Sequence, residues 1–155
     1  MPVHAEQKFM PYSPEQLYAL VADIEKYPEF LPWCVGARIR ERRPTEVIAD
    51  LVIGFKMIRE RFTSRVTLTP PEGGVVPRIE VAYIDGPMRH MSNKWLFNAQ
   101  PGGTLIDFHV EFEFRSKILE TLIGALFHEA VRRMVNAFET RAAKLYGSPP
   151  LTPVA

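Results

Sequence analysis

The sequence predicts an α+β domain in which one curved antiparallel sheet wraps along a single long C-terminal helix. Two observations support this fold class. Apolar residues recur at helical spacing from Lys117 to Tyr146, and most of the chain before that run alternates between apolar and polar residues. At about 1.5 Å per residue the helix would reach roughly 45 Å. A helix of that length and hydrophobicity needs an equally broad apolar partner, and the strand-like middle of the chain can supply it.

The chain ahead of the main run of strands predicts one strand and two short helices. Val3 to Met10 has the pattern of an opening strand. Ser13 and Gln16 have the spacing of a capping box, so a helix should begin there and run to about Ala22. A second short helix is expected over Ile24 to Tyr27, ahead of a proline.

The middle of the chain predicts six successive antiparallel strands separated by glycine- and proline-rich turns, one of which is expected at Gly54-Phe55-Lys56. Because no internal repeat or linker interrupts the pattern, residues 1–147 should form one domain. The proline-rich segment 148–155 is expected to be a flexible tail. The predicted strands are Val35–Arg42, Glu46–Ile53, Arg59–Leu68, Arg78–Ile84, Met88–Asn98 and Leu105–Phe114.

Composition sets broad limits on function. A length of 155 residues suits one domain with a real core, and a net charge of +1 gives no overall signal for binding polyanions. One cysteine excludes an internal disulfide framework and fits a reducing compartment. The N-terminus lacks a targeting pattern and no apolar run approaches the ~20 residues of a membrane span. We therefore expect a bacterial cytoplasmic protein, with peripheral contact at the inner membrane left open.

A bent sheet against a long helix leaves a cleft whose predicted lining is large and apolar. Burying a ten-carbon chain there would contribute roughly 8 kcal/mol before ordering costs. The same side chains could instead contact one another as ordinary core, and the pattern alone favours that alternative. Leu31 and Trp33 could close one mouth of the cleft or plug the end of the sheet. The predicted lining consists of Leu31, Trp33, Phe62, Val66, Val81, Tyr83, Trp95, Phe97, Phe108, Val110, Phe112, Leu122, Leu126 and Met134.

Signals for catalysis are weak. His109 and Glu111 share a strand face with Asp107, a set that could bind a metal or transfer protons, but the alternation places that face in solvent. Cys34 has no second cysteine or histidine at a useful spacing. Tyr83 is the one inward polar group available to an enzyme. The sequence therefore predicts no catalytic residue, no metal site and no resident cofactor, and we do not expect an enzyme.

One long stretch resembles a known family. Tyr12 to Cys34, which ends in Tyr-Pro-Glu-Phe-Leu-Pro-Trp-Cys, is similar to the Coq10 and RatA family of START-like proteins, whose bacterial members are often described as polyketide cyclases or dehydrases. The likeness covers about Pro2 to Gly147, with Arg61 as a departure from the pattern. It implies a helix-grip fold of the START and Bet v 1 type. Further matching segments are Arg59–Val66, Gly86–His90, Trp95–Phe97, Phe112–Ser116, Ala137–Ala142 and Tyr146–Gly147.

The resemblance implies a function and leaves alternatives. The first is non-catalytic binding of ubiquinone (coenzyme Q) or a related isoprenoid lipid in a hydrophobic tunnel, supporting respiration and quinone biosynthesis. The second is a RatA-like toxin that binds the ribosome and inhibits subunit association. The third is a small aromatic polyketide cyclase or dehydrase. DNA is not expected as a partner.

Basic residues gather between Arg38 and Arg65, where eight Lys and Arg residues stand against four Asp and Glu residues. Such a patch could contact anionic lipid headgroups beside a tunnel mouth or the phosphates of ribosomal RNA. Ordinary charge alternation on exposed strands remains the other interpretation. The candidate contact residues are Arg38, Arg40, Arg42, Lys56 and Arg59.

Overall fold

The computed structural model describes residues 3–55 and 58–147. One strand and two short helices lead into six strands and a final helix, in the predicted order. The elements are β1 (Val3–Met10), α1 (Pro14–Ala22), a 3₁₀ helix (Ile24–Glu29), β2 (Cys34–Arg42), β3 (Glu46–Phe55), β4 (Ile58–Thr69), β5 (Arg78–Asp85), β6 (Met88–Gln100), β7 (Gly103–Phe114) and α2 (Lys117–Tyr146).

The strands form one antiparallel sheet in the order β1-β7-β6-β5-β4-β3-β2. Each strand from β2 to β7 pairs with its sequence neighbour. Strand β1 pairs with β7 and forms the edge of the sheet opposite β2. Helix α1 and the 3₁₀ helix therefore connect one edge of the sheet to the other. Helix α2 packs a stripe of buried side chains against the sheet, so the predicted α+β helix-grip fold is confirmed. That stripe consists of Phe127, Val131, Val135, Phe138 and Ala142.

Local signals place the start of α1 correctly. The Ser13 hydroxyl accepts a hydrogen bond from the Gln16 backbone N at 3.1 Å, and the Gln16 side chain accepts one from the Ser13 backbone N at 3.0 Å. This is the predicted capping box. The 3₁₀ helix continues past its predicted end to Glu29, with Pro28 inside it. Proline removes one donor, but the Tyr27 carbonyl still accepts from the backbone N of Phe30 at 3.2 Å and of Leu31 at 2.9 Å.

The predicted turn at Gly54-Phe55-Lys56 is wrong in its first two residues. Gly54 pairs with Arg59 and Phe55 with Ile58, so the ladder between β3 and β4 continues past the glycine. The Gly54 backbone N also donates to the Trp33 carbonyl at 2.8 Å, which gives this stretch a second partner. Lys56 and the predicted tail 148–155 lie outside the described residues. No helix within the described ranges is long and apolar enough to cross a membrane.

The two ends of α2 meet the sheet differently. Around its C-terminal half, which we call the packed end, Phe97 and Ala142 have no exposed surface and Leu17 of α1 is 1% exposed. Thr104 donates to the Tyr12 carbonyl at 2.7 Å, and Tyr146 donates to the Gln16 carbonyl at 2.9 Å. Around its N-terminal half, which we call the cavity end, α1 is absent. The fold therefore places any empty space at the cavity end.

Candidate ligand-binding cavity

A cavity of about 370 Å³ lies between the concave face of the sheet and α2. Strands β3 to β7 supply its floor, α2 supplies its roof, and the 3₁₀ helix with the segment that follows closes one side. Small-molecule sites in proteins usually measure roughly 300–1,000 Å³. The space between sheet and helix is thus large enough for a small organic ligand or part of a lipid chain.

Most residues of the predicted lining border this cavity. They come from strands whose apolar positions alternate inward and from one face of α2, so a period of two and a period of 3.6 both identified them. Those that line the cavity are Leu31, Trp33, Phe62, Val66, Val81, Trp95, Phe108, Val110, Phe112, Leu126 and Met134.

Three residues of the predicted lining lie elsewhere. The Tyr83 hydroxyl accepts a hydrogen bond from the Met88 backbone N at 3.0 Å, so it closes the turn between β5 and β6. Phe97 is fully buried at the packed end, where its ring meets Tyr18 edge to face at 6.1 Å. Leu122 is half-exposed on α2, because the apolar stripe of that helix is wider than the surface that the cavity covers.

The sequence analysis missed the polar part of the lining. Glu60 and Ser64 both border the cavity, and so does Asn93 of β6. The sequence pattern could have identified the first two, because Glu60 and Ser64 lie two residues from Phe62 or Val66 along β4 and therefore share their inward face. The predicted lining contained only apolar and aromatic residues, so it did not include Glu60 and Ser64.

Two of the lining's polar side chains are already satisfied. Asn93 donates to the His109 carbonyl at 2.9 Å and accepts from Trp95 Nε1 at 2.9 Å. The Tyr27 hydroxyl donates to the Val21 carbonyl. Burial, more than the nearby Cys34 and Asp23, raises the pKa of Tyr27, which therefore stays a neutral phenol near pH 7. The deep wall of the cavity thus behaves as an uncharged, largely apolar surface.

The mouth of the cavity is formed by partly exposed residues. Leu126 of α2 is 37% exposed although it lines the cavity, and Leu31, Pro32 and Trp33 face it from the segment after the 3₁₀ helix. Trp33 has a φ of 65°, which costs a non-glycine residue about 1–3 kcal/mol. The Gly54 hydrogen bond to its carbonyl helps hold that conformation. This segment is therefore a fixed rim beside the opening.

Comparison with known proteins places the chain in a family. The family described as polyketide cyclase / dehydrase and lipid transport matches residues 10–139. The protein belongs to this family. The matched range runs from the end of β1 into α2, so it includes every strand of the cavity wall. The predicted resemblance is confirmed.

Similar proteins carry names that refer to different functions. The "Ribosome association toxin RatA" of Rickettsia prowazekii is 41% identical over 138 residues, which cover 89% of this chain and 94% of that protein. The "Coenzyme Q-binding protein COQ10 homolog B, mitochondrial" of Xenopus laevis is 32% identical over 149 residues, covering 93% of this chain but 59% of that protein. The chain is thus similar in sequence to a ribosome-directed and to a quinone-directed protein.

Solved structures support the same fold. The 18 kDa protein CC1736 of Caulobacter crescentus is 33% identical, with a TM-score of 0.75 over 96% of this chain and all of that one. A START superfamily protein of Mycobacterium smegmatis has a TM-score of 0.74 at 19% identity, over 92% and 98% of the two chains. The Zhui aromatase/cyclase of Streptomyces has a TM-score of 0.80 at 16% identity, over 94% and 95%. The last two likenesses concern the fold alone.

On the outer face of the sheet, Glu111 and Asp107 bind different neighbours. Glu111 hydrogen-bonds His90 Nε2 at 2.9 Å and His109 Nε2 at 3.4 Å, and the His90 bond is the main cause of its lowered pKa. Asp107 instead accepts from Gln7 and Asn98. Within residues 3–55 and 58–147, no group of three His, Cys, Asp or Glu side chains could hold a metal ion.

The basic patch is concentrated on the outer face of β2, β3 and β4. Asp50 is buried there and accepts from Arg40 Nε at 2.7 Å and from the Thr63 hydroxyl. Burial alone would raise the pKa of Asp50, but these two hydrogen bonds, together with the positive charges of Arg40 and Arg61, outweigh it and the pKa is lowered. Arg42 pairs instead with Glu25 of the 3₁₀ helix at 3.1 Å. The arginines that share the outer face are Arg38, Arg40, Arg59, Arg61 and Arg65.

Proposed function

We propose that the protein binds ubiquinone or a related isoprenoid lipid in the cavity and performs no chemistry on it, supporting respiration and quinone biosynthesis. The observation that carries this proposal is the cavity itself, about 370 Å³ of space with a nearly uncharged wall. The similarity to a protein named coenzyme Q-binding adds support for the ligand class. Glu60 supplies the one charge in the described lining, and it is partly exposed.

The energetics of such a wall favour hydrocarbon. Each methylene moved from water into an apolar site contributes about 0.8 kcal/mol. Rings such as Trp95, Phe108 and Phe112 offer flat surfaces against which a ligand ring can pack. A ligand with a ring and an apolar tail would gain from both, so affinity should increase with tail length until the tail leaves the mouth.

The arrangement of polar groups supports binding without turnover. A cyclase needs a free acid or base beside the buried part of its ligand. The one carboxylate in the described lining, Glu60, is partly exposed, and the Asn93 and Tyr27 side chains are engaged in hydrogen bonds to the protein. Tyr83, which an enzyme would have used, borders a turn and not the cavity. We therefore propose a carrier or presenting protein for the quinone.

Native mass spectrometry of the purified protein tests the proposal, together with titration of decylubiquinone followed by tryptophan fluorescence. We expect co-purified lipid or uptake of the added quinone. Ala130→Phe should block uptake because Ala130 lines the cavity, whereas Ala125→Phe on the exposed face of the same helix should not. Wild-type protein that holds no lipid and takes up no quinone would remove the proposal.

A second candidate is association with a ribosomal subunit. The specific observation in its favour is the arginine-rich outer face, a surface of the kind that contacts phosphates. The 41% identity to a protein named RatA points in the same direction. This surface and the cavity lie on opposite faces of the sheet, so the two functions do not exclude each other.

Co-sedimentation with purified ribosomal subunits tests the second candidate. Binding should weaken as salt increases, and Arg38→Glu with Arg59→Glu should abolish it. Arg132→Glu is the matched control, because Arg132 is exposed on α2 away from this face. Equal binding by the double variant and the control would show that the outer face is not the contact surface.

A further inference from the structure

We propose that the Ser64 hydroxyl is the polar anchor of the cavity. It would hydrogen-bond a neutral oxygen on the ring of the ligand, which places the ring deep in the cavity and directs the hydrocarbon tail toward the mouth. This proposal rests on the proposed function and specifies the ligand and its orientation at the same site.

The first observation is an unsatisfied hydroxyl. Ser64 lines the cavity and is 4% exposed, and its Oγ has no hydrogen-bond partner among the described residues. A buried hydroxyl without a partner destabilises the folded state, because its hydrogen bond to water has been lost and not replaced. Alanine would be the better residue here if the cavity were permanently empty.

Other buried polar side chains in the described ranges behave differently. Thr104 donates to the Tyr12 carbonyl at 2.7 Å, and Thr63 donates to Asp50, which also accepts from Arg40 at 2.7 Å. Each of these groups has a partner within the protein. Ser64, which directly follows Thr63 in β4, has no partner among the described residues and points to the opposite face of the sheet. Arg141 Nε also lacks a partner there, but another nitrogen of the same guanidinium pairs with Glu29 at 3.0 Å. The missing partner of Ser64 therefore belongs in the cavity.

The surroundings of Ser64 leave room for a ring. In the sheet Ser64 pairs with Ala49 of β3. Because the Ala49 side chain is small, it leaves space in the cavity beside the Ser64 hydroxyl. On its other side Ser64 pairs with Tyr83, whose own hydroxyl is engaged by the Met88 backbone. A planar group resting on Ala49 would thus have Ser64 as its available hydrogen-bonding neighbour.

Charge selects the kind of oxygen. The described lining contains no Lys, Arg or His, and Asn93 uses its amide on the His109 carbonyl and Trp95. A carboxylate or phosphate placed beside Ser64 would be buried without a counter-charge, which is strongly unfavourable. Ser64 should therefore bind a quinone carbonyl, a phenol or an ether oxygen, and not the headgroup of a fatty acid or a phospholipid.

The gradient of burial gives the orientation. Neighbours of Ser64 along the deep wall, such as Val66 and Ile79, are 4% and 2% exposed. In the other direction along β4, Phe62 and Glu60 are partly exposed. The ring therefore lies at the buried level of Ser64, and the tail runs past Phe62 to the mouth beside Leu126.

The test compares two probes, decylubiquinone and decylbenzene, which share a tail and differ in ring oxygens. Ser64→Ala should weaken decylubiquinone binding about three- to tenfold, the effect of one neutral hydrogen bond, and leave decylbenzene affinity unchanged. Ser92→Ala is the control, since Ser92 hydrogen-bonds Glu111 on the outer face. The unliganded Ser64→Ala protein should be no less stable than wild type, because no protein hydrogen bond is removed.

The outcomes are separable. An equal loss of affinity for both probes in Ser64→Ala would mean that Ser64 acts through packing. Unchanged affinity for both would mean that Ser64 does not contact the ligand. Either result overturns the anchor proposal but not the proposal that the protein binds a quinone. Wild-type protein that binds neither probe ends the proposed function and the anchor together. If the alanine variant does not fold, Ser64→Cys replaces it, because cysteine has a similar volume and a weaker hydrogen-bond donor. This variant should also lower the affinity for decylubiquinone and leave the affinity for decylbenzene unchanged.

Discussion

The packed end and the cavity end use the same helix and the same sheet, yet one is full and the other is hollow. At the packed end, Leu17 of α1 fills the layer and Ala142 of α2 has no exposed surface. At the cavity end α2 presents Leu126 and Ala130 to open space. Sheet curvature therefore separates the two layers, and an extra element, α1, closes the gap at one end only.

An aromatic cluster forms the boundary between the two ends. The Phe138 ring lies edge to face with Trp95 at 5.1 Å, with Phe30 at 5.3 Å and with Tyr27 at 5.6 Å. Arg141, one turn further along α2, places its guanidinium 5.0 Å from the Phe30 ring and pairs with Glu29 at 3.0 Å. The wall of the cavity is therefore supported from the packed side, which keeps the space open.

The largest expected effect is at the packed end. Phe97→Ala should lower the free energy of unfolding by about 3–5 kcal/mol, because it creates a void in a filled layer. Chemical denaturation measures the change. Folded Phe97→Ala protein should still bind decylubiquinone, since Phe97 does not line the cavity. Loss of binding by the folded variant would mean that the two ends are not independent.

A somewhat smaller loss of stability is expected at the boundary. The Trp95 ring lies edge to face with Phe108 at 4.6 Å but also borders the cavity, so part of its surface already lacks packing partners. Trp95→Ala should cost less than Phe97→Ala, about 2–4 kcal/mol, and should also weaken quinone binding. A cost equal to that of Phe97→Ala with unchanged binding would assign Trp95 to the packed end.

At the mouth the effect on stability should be small. Leu126 is 37% exposed, so Leu126→Glu should fold cooperatively and cost about 1 kcal/mol or less. The introduced carboxylate borders the path of an apolar tail and should weaken decylubiquinone binding. Leu145→Glu, at an exposed position near the other end of α2, is the control and should leave binding unchanged. Insoluble Leu126→Glu protein would show that this face is buried after all.

The smallest effect concerns alkaline pH. Burial raises the pKa of Tyr27 in the folded protein, so this group favours folding below its unfolded pKa of about 10 and loses that contribution as the pH rises further. The free energy of unfolding should therefore fall above about pH 10, and Tyr27→Phe should reduce the slope. A variant with the same slope as wild type would mean that Tyr27 does not titrate differently in the two states.

Alternation along a strand identifies some residues of the cavity and not others. Alternation along β4 identified Phe62 and Val66, and the same alternation implied Glu60 and Ser64, which a search for apolar residues passed over. Periodicity could not separate Phe97 from Trp95, because both point inward from β6. Their different roles depend on where α1 lies, and α1 is distant in sequence.

Local spacing predicted the order of the elements, their inward faces and the start of α1, and a matching segment such as Tyr12 to Cys34 predicted the family. Three features required the three-dimensional packing: the layers fail to meet at one end, Tyr83 turns to the Met88 backbone, and Ser64 has no hydrogen-bond partner among the described residues. The physical reason is that alternation reports the side of a strand, whereas depth and empty volume depend on how distant elements pack in three dimensions.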